Sequence, residues 1–295
     1  MSSSTGPASG LPVRMPRPRQ SGRHRRPEPV SAPEGAPPLV LAVPGTPSAS
    51  SLSVAEEVLS IARSELPGLD GRIGFAERAG EEFPSLEEVL SGADAAASEA
   101  SGAPSAIVVP LLAGPDSAQL RGIRQTVVHS GSGAELTDVL GPHPLLAEGV
   151  HVRLSESGLA RADRARLFTV ATAADGIVLA TVGGEEAVQT AGITGMLLSA
   201  RLAVPVLAAA LDEEGAVAHT ANRLLEAGAQ QLAVAPCLIG PEIPEGLLES
   251  ATKEAGCPTA EPLGAYPAVG KLVLSTYMAA AGLAPQPASP GGPRA

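Results

Sequence analysis

Short apolar runs alternate with longer stretches of mixed polarity from Pro38 onward. Apolar runs of about five or six residues are typical of buried strands, and the longer stretches repeat apolar residues at helical spacing. The pattern predicts strands at 39–43, 71–77, 107–112, 135–140, 176–182, 204–210, 232–238 and 259–262, and helices at 48–65, 86–100, 116–128, 144–154, 185–202, 216–227, 243–255 and 267–281. Such alternation predicts an α/β protein with parallel sheets covered on both faces.

This pattern occurs twice along the chain. The apolar run at 107–112 and the Leu-Gly-Pro-His-Pro segment at 140–144 have weaker copies at 232–238 and 263–267. Pro110 and Pro236 are 126 residues apart, and Gly141 and Gly264 are 123 residues apart. A repeat of this length indicates one fold unit per copy. We therefore expect two tandem, doubly wound parallel-sheet domains, at 37–158 and 168–283, which face each other across a cleft.

Residues 1–36 differ in composition, since they are rich in Ser, Pro, Gly and Arg and have no apolar periodicity. Such a segment is expected to be a disordered tail, and so are the Pro- and Gly-rich residues 284–295. The first tail is basic because it contains Arg14, Arg17, Arg19, Arg23, Arg25 and Arg26. It is either an arm that contacts an anionic partner or a solvated tail with no specific role, and the second interpretation is favoured.

Composition argues against several classes of function. The net charge is −11, aromatic residues make up 2% of the chain, and Trp is absent. Nucleic-acid binding uses basic patches or aromatic platforms, so we expect no nucleic-acid partner. No apolar run approaches the roughly 18 residues of a membrane span, and no apolar segment of a signal peptide follows the basic start. We therefore expect no membrane partner. The chain has only two cysteines, which favours a reducing environment, so we expect a cytoplasmic protein. The sequence leaves its oligomeric state open.

The residues just beyond the strands are the candidates for ligand contact, because parallel sheets bind ligands at the carboxyl ends of their strands. The residues predicted to line the cleft there are Pro44, Gly45, Thr46, Asp116, Ala118, His143, Val182, Gly183, Gly184, Glu242 and Tyr266. No Walker, CxxC, HExxH or GxSxG motif is present, so none of the corresponding chemistries is indicated.

His143 has two interpretations. It either contacts a ligand carboxylate or a metal ion, or it caps a helix between two prolines, and the lack of neighbouring ligand residues favours capping. Its counterpart in the second copy is Tyr266, so the repeat creates no pair of histidines. His151 and His219 lie within predicted helices and are interpreted as partly buried surface residues. Cys237 ends an apolar strand and is interpreted as a small buried hydrophobic residue.

Three segments together resemble a known family. They are Phe75-Ala76-Glu77 followed by Pro84-Ser85-Leu86, Val108-Val109-Pro110-Leu111-Leu112, and Leu140-Gly141-Pro142-His143-Pro144. In this order they resemble the CbiX-type sirohydrochlorin chelatases, and the second copy is similar to the same domain. The resemblance covers about residues 38–282. It implies a class II chelatase fold and the insertion of cobalt or iron, as substrate, into a tetrapyrrole on the route to cobalamin or sirohaem.

The sequence departs from this family at the histidines. The resemblance places the first family histidine at Pro44 and the second at Ala118, and in the second copy at Val182 and Glu245. Neutral imidazole binds divalent first-row metals and can accept the pyrrole protons that leave as metal enters. Proline, alanine and valine side chains can do neither, and one carboxylate makes a weak metal site. The remaining metal-ligand candidates are therefore His143 and Glu245.

Three functions follow from this combination. The leading one is a chelatase-like protein of cobalamin or sirohaem tetrapyrrole metabolism whose metal-insertion site is degenerate in both copies. The second is a non-catalytic protein that binds another small molecule or acts as a scaffold. The third is an active chelatase that uses Asp116, Glu245 and His143 instead of histidine pairs. Acidic residues at the strand ends would repel a tetrapyrrole rich in carboxylates unless Arg121, Arg124 or Arg201 faces the cleft.

Overall fold

The computed structural model describes residues 31–78, 80, 82–92, 103–160, 173–244 and 246–283. The strands are β1 (Leu39–Val43), β2 (Gly71–Phe75), β3 (Ile107–Pro110), β4 (Glu135–Leu136), β5 (Gly176–Thr181), β6 (Val206–Ala210) and β7 (Leu232–Pro236). The helices are α1 (Ala49–Glu65), α2 (Leu86–Ser91), α3 (Ser117–His129), α4 (Pro144–Glu156), α5 (Gly184–Leu202), α6 (Ala216–Glu226), α7 (Leu247–Ala255) and α8 (Pro267–Ala280). Both predicted tails, apart from residues 31–36, lie outside the described residues.

The strands form two sheets with the same order. The first sheet runs β2-β1-β3-β4 and the second β6-β5-β7, and every pairing within them is parallel. A single parallel bridge between Val234 and Thr259 occupies the place that β4 has in the first sheet. The predicted α/β class with two parallel sheets is confirmed.

Some predicted elements are shorter in the structure. Strand β4 has two residues, and the strand predicted at 259–262 is reduced to the single bridge at Thr259. Helix α7 begins at Leu247 rather than at Ile243, because Pro244 disfavours helical backbone at the residue before it. Gly246 then caps the helix with a left-handed backbone.

The outer face of each sheet has its own core. Val40, Ala42 and Val108 of the first sheet pack in one cluster with residues of α2 and α3. Their counterparts Val178 and Val234 of the second sheet pack with residues of α6 and α7. The inner faces instead share a single cluster, to which β1, β3, β5 and β7 all contribute. The described part of the chain accordingly belongs to one compact unit.

The last helix of each half packs against the sheet of the other half. Helix α8 lies on β3 and α1, and α4 lies on β7 and α5. Gly270 of α8 faces Ile61 of α1 so closely that a Cβ atom would overlap the isoleucine side chain. Arg153 of α4 donates from Nη2 to the carbonyl oxygen of Leu263, at 2.7 Å. Each half is therefore completed by a helix from the other. Among the described helices, none is long and apolar enough to cross a membrane.

Candidate functional site

Four loops at the carboxyl ends of the strands form the candidate site. We name them after the preceding strand: the β1 loop (44–48), the β3 loop (111–116), the β5 loop (182–183) and the β7 loop (237–246). A Cβ atom built on Gly45 would overlap the carbonyl oxygen of Pro241. A Cβ atom built on Gly183 would lie 2.7 Å from the carbonyl oxygen of Pro115. The halves therefore touch backbone to backbone at two equivalent points, which we call the seam.

The two loops that Gly45 and Gly183 contact share a sequence pattern. Residues 110–116 read Pro-Leu-Leu-Ala-Gly-Pro-Asp, and residues 236–242 read Pro-Cys-Leu-Ile-Gly-Pro-Glu. Asp116 and Glu242 are therefore equivalent residues, 126 positions apart. The Cα atom of each lies beside a seam glycine, at 2.8 Å from the built Cβ of Gly183 for Asp116 and 3.9 Å from that of Gly45 for Glu242. One acidic residue thus borders each seam contact.

Asp116 is the N-cap of α3. Its Oδ1 accepts the backbone N–H groups of Ala118 at 2.9 Å and Gln119 at 3.0 Å, and the residue is half-buried. The Oε1 atom of Gln119 in turn accepts the N–H of Gly45 at 3.4 Å. The first turn of α3 therefore adjoins the β1 loop, which brings the surroundings of Ala118 and Pro44 together.

Glu242 is buried, with 4% of its surface exposed. Its Oε1 accepts the N–H of Ile239 and its Oε2 accepts the N–H of Gly240, both at 2.6 Å. Burial raises the pKa of Glu242 to about 7; the backbone hydrogen bonds oppose this rise, and the nearby charge of Asp116 adds to it. The predicted cleft-lining side chain is thus turned back into its own loop.

Cys237 is the first residue of the same loop. It is a free, buried thiol, as the sequence predicted. Burial raises the pKa of Cys237 to about 12, the charge of Glu242 adds to the rise, and a hydrogen bond with Thr194 of α5 opposes it. The thiol is consequently protonated at neutral pH and does not act as a nucleophile in this conformation.

His143 takes the capping role. It is the N-cap of α4, and its Nδ1 accepts the N–H of Leu145 at 3.1 Å. Its counterpart Tyr266 precedes α8 without a side-chain cap, and its ring packs close to Gly149 of α4. Burial raises the pKa of Tyr266, with the charges of Glu148 and Glu156 adding to the rise. The nitrogen of His143 that caps the helix is therefore already engaged.

The other predicted residues have mainly structural contacts. The hydroxyl of Thr46 donates to Glu77 at 3.1 Å, and the N–H of Gly183 donates to Asp212 at 3.0 Å. Pro44 and Val182 are buried, Ala118 is exposed, and Gly184 is the first residue of α5. Glu245 lies outside the described residues.

The interpretation of His151 as a partly buried surface residue was wrong. It is 3% exposed, in the contact between α4 and α5, and its Nδ1 lies 3.5 Å from Nε of Arg201. Helical spacing did not reveal this burial, because the helix that covers His151 belongs to the other half. His219 is exposed on α6, so the prediction that it is partly buried was also wrong.

No group of three His, Cys, Asp or Glu side chains in the described ranges is arranged to hold a metal ion. Oδ1 of Asp116 and Nδ1 of His143 accept N–H groups at helix N-termini, and both oxygens of Glu242 accept N–H groups of its own loop. These residues are therefore arranged to stabilise loops and helix ends. They do not form a coordination sphere.

The sequence already indicated that Asp116 and Glu242 are equivalent residues of the two repeats. The two acids keep the same offset as Pro110 and Pro236, and the Gly-Pro step before each acid is shared. The burial of Glu242 had no such signal, because it depends on N–H groups that only the folded loop points inward.

The fold is similar to that of the sirohydrochlorin chelatase SirB. SirB from Bacillus subtilis with Fe3+ superposes with a TM-score of 0.60 at 17% sequence identity, covering 83% of this chain and 96% of SirB. The sirohydrochlorin chelatase SirB from Bacillus subtilis subspecies spizizenii in complex with cobalt superposes with a TM-score of 0.56 at 14% identity and the same coverage. No protein family model and no curated protein matches the sequence. At these identities the likeness establishes the fold.

Proposed function

We propose that this protein is a sirohydrochlorin-chelatase-like protein of cobalamin or sirohaem tetrapyrrole metabolism that has lost metal insertion. The observation that carries the proposal is a mismatch between scaffold and side chains. The fold resembles that of SirB over 83% of the chain. The positions at which the sequence resemblance expects the first two family histidines are Pro44 and Ala118.

The loss concerns side chains more than architecture. The hydrogen bond from Gly45 to Gln119 keeps the β1 loop beside the first turn of α3, so the surroundings of Pro44 and Ala118 adjoin. Two imidazoles there could share a divalent ion and accept pyrrole protons. A pyrrolidine ring and a methyl group have no atom for either task. In the second half Val182 is equally unable to bind metal.

The acidic residues are poor substitutes for the histidines. Glu242 has a pKa of about 7, which suits proton transfer, but it is buried and both of its oxygens accept backbone N–H groups. Asp116 accepts two N–H groups at the start of α3. Using Glu242 as a ligand would strip hydrogen bonds from its loop, which opposes binding. Asp116 belongs to no group of three ligand side chains, among the described residues, that could hold a metal ion.

A turnover assay tests the proposal. The full chain is mixed with sirohydrochlorin and Co²⁺ or Fe²⁺ without oxygen, and the absorption of the metallated product is followed. We expect the rate of the protein-free reaction. A rate well above it, saturable in sirohydrochlorin, would show that insertion survives and would overturn the proposed loss.

If the wild-type protein shows no insertion, a variant with histidines at positions 44 and 118 tests whether the missing side chains are the cause. Pro44→His together with Ala118→His should raise insertion above the wild-type rate, because it places two metal-binding imidazoles in segments that the hydrogen bond between Gly45 and Gln119 holds side by side. Pro44→Phe with Ala118→Phe is the matched control, since it adds rings of similar size that cannot bind metal. If the histidine and phenylalanine variants are equally inactive, side-chain loss alone does not explain the inactivity.

The acidic seam favours a second function, the binding of a small molecule that is not strongly anionic. Asp116 and Glu242 border the two points where the halves meet. The charge of Asp116 would repel a ligand rich in carboxylates, and so would Glu242 in its ionised form. Titration with sirohydrochlorin in the absence of metal separates the two functions. Saturable binding of sirohydrochlorin supports the tetrapyrrole-linked function. If no binding occurs at high micromolar sirohydrochlorin, the result supports a ligand that is not strongly anionic.

A further inference from the structure

The two sheets differ at their equivalent outer edges. Strands β2 and β6 are edge strands, and each pairs on one side with the first strand of its half. On the outer side of β2, the N–H of Phe75 donates to the carbonyl oxygen of Pro84 at 2.9 Å, and Arg63 donates to the carbonyl oxygen of Gly71. A parallel bridge from Phe75 to Ser85 adds to this cover. The edge of the first sheet is therefore covered by its own chain.

The edge strand β6 has no such cover among the described residues. The carbonyl oxygen of Pro205 and the N–H of Leu211 are bonded to β5, so the odd-numbered residues of β6 direct their backbone groups toward that strand. Val206 and Ala208 therefore direct theirs outward, where no described group bonds to them, and both residues are half-buried. Strand β6 reads Val-Leu-Ala-Ala-Ala, without the charged residues that commonly protect an edge. The edge can therefore accept another strand.

One flank of α5 lies along this edge and is uncharged. A Cβ atom built on Gly195 would lie 3.4 Å from the side chain of Val206, and the hydroxyl of Ser199 donates to the backbone just before β6 at 2.6 Å. Met196 is three residues before Ser199 and shares its side of the helix, yet it is 66% exposed. The exposed residues between positions 189 and 200 carry no charge. The edge and this flank thus form one uncharged surface.

We propose that this surface is a homodimer interface, in which the β6 strands of two copies pair antiparallel about a two-fold axis and join the second sheets into one. Val206 of each copy pairs with Ala208 of the other, which gives about four hydrogen bonds. Strands lie about 4.8 Å apart, so the α5 helices, which pack over β5 and β6, come to lie about 10 Å apart. Packed helices have about this spacing, so the two Met196 flanks meet.

The distribution of charge identifies a second copy as the occupant. The net charge of −11 makes copies repel one another over most of their surface, whereas the β6 edge and its α5 flank are uncharged. Antiparallel pairing also brings the acidic segment 212–214, which follows β6 in one copy, toward residues 199–205, which precede β6 in the other. Arg201, which is exposed, is the one charged residue of that second segment. The surface is therefore complementary to itself.

Sedimentation equilibrium of the full chain tests the dimer. Protein concentrations from about 5 to about 500 μM are needed, because an interface built on one short strand and one helix flank is weak. We expect the average mass to rise with concentration from 29.4 kDa toward twice that value. A mass that stays at 29.4 kDa at every concentration would overturn the proposal and leave the edge for an extended segment of another protein.

Two variants locate the interface. Met196→Glu places like charges opposite each other, and Ala208→Pro removes an outward N–H that has no partner in the monomer, a change that edge strands tolerate. Each should raise the dissociation constant of the dimer at least about tenfold. Val128→Glu is the matched control, because Val128 is 72% exposed on α3 of the other half and receives the same charge. If Ala208→Pro does not fold, Met196→Glu still decides, and a dimer as strong in Met196→Glu as in Val128→Glu would contradict the proposed interface.

Hydrogen exchange of the wild-type protein provides a test that needs no variant. The outward N–H groups of Val206 and Ala208 should exchange about tenfold more slowly at concentrations that favour the dimer, because pairing protects them. The N–H of Ala209 points to β5 and should exchange at the same rate throughout. Slowing at other segments without any at Val206 and Ala208 would show that a different surface dimerises. None of these measurements involves metal or tetrapyrrole, so their outcomes are independent of the proposed function.

Discussion

The β3 and β7 loops start from the same sequence pattern and end with opposite environments for their acid. Asp116 is half-buried and caps α3, where it accepts N–H groups that follow it in the chain. Glu242 is 4% exposed and accepts N–H groups that precede it. An acidic residue at one position of a duplicated fold can therefore serve either as a helix cap or as the buried centre of a loop.

The residue that follows each acid accounts for much of the difference. Ser117 begins α3 directly after Asp116, so free helix N–H groups lie within reach of the carboxylate. After Glu242 the chain continues into Ile243 and Pro244, and α7 begins only at Leu247. With no helix end nearby, and with one more methylene than aspartate, the Glu242 carboxyl reaches back to its own loop.

Removing the Glu242 carboxyl should produce the largest loss in the free energy of unfolding. Glu242→Ala leaves the N–H groups of Ile239 and Gly240 without an acceptor in a buried loop. Each unsatisfied group costs roughly 1–3 kcal/mol, so we expect a loss of about 4 kcal/mol in the free energy of unfolding, measured with urea. Glu242→Gln keeps one acceptor oxygen and should lose about half as much. A loss below about 1 kcal/mol for the alanine variant would mean that water or the backbone replaces the carboxyl.

The second largest effect should be a pH dependence of the free energy of unfolding that comes from Glu242 of the β7 loop. Burial raises the Glu242 pKa from its ordinary 4.5 to about 7, so the folded state binds this proton more tightly than the unfolded state does. The resulting stabilisation is fully present below pH 4.5 and is lost as the pH rises through 7, with a total on the order of 3 kcal/mol. Asp116 and Cys237 are the titratable groups that interact with Glu242.

Unfolding free energies of the wild type and Glu242→Gln between pH 4 and pH 8 isolate this contribution. Their difference cancels the titration of groups that both proteins share. We expect the advantage of the wild type over the glutamine variant to shrink as the pH rises. An advantage that grows with pH would mean that the ionised carboxylate is the favoured form and that the backbone N–H groups outweigh burial.

Substituting Asp116 should produce the smallest loss in the free energy of unfolding. Asp116→Ala removes the N-cap of α3, and we expect a loss of about 1 kcal/mol, because water can reach the half-exposed N–H groups. Asp116→Asn retains an acceptor oxygen and should stay close to the wild type. A loss for Asp116→Ala as large as that for Glu242→Ala would remove the contrast between the two loops.

The sequence predicts the parts of this fold that depend on local pattern. Apolar runs locate β1, β3, β5 and β7, since buried parallel strands are continuously apolar. It does not predict the exchange of α4 and α8, because periodicity shows that a helix has an apolar face without showing which sheet covers it. The burial of His151 against α5 follows from that exchange and was missed for the same reason.

The sequence indicates where the strand-end residues lie, but it does not indicate what their side chains contact. The strand-end rule placed residues from both halves at one seam, as the contacts of Gly45 with Pro241 and of Gly183 with Pro115 show. It could not predict which carboxyl turns inward, because that depends on the direction of loop N–H groups. For His143 the capping interpretation describes its contact with Leu145.

The most direct test of the proposed loss of the metal site is a calorimetric titration of the metal-free protein with Co²⁺ at pH 7. We expect no binding tighter than about 1 mM, and at least about tenfold tighter binding by the Pro44→His/Ala118→His variant, because adjoining imidazoles supply the ligands that the described residues lack. Stoichiometric micromolar binding by the wild type would contradict the account, because it would mean that the chain holds cobalt with ligands other than the lost histidines.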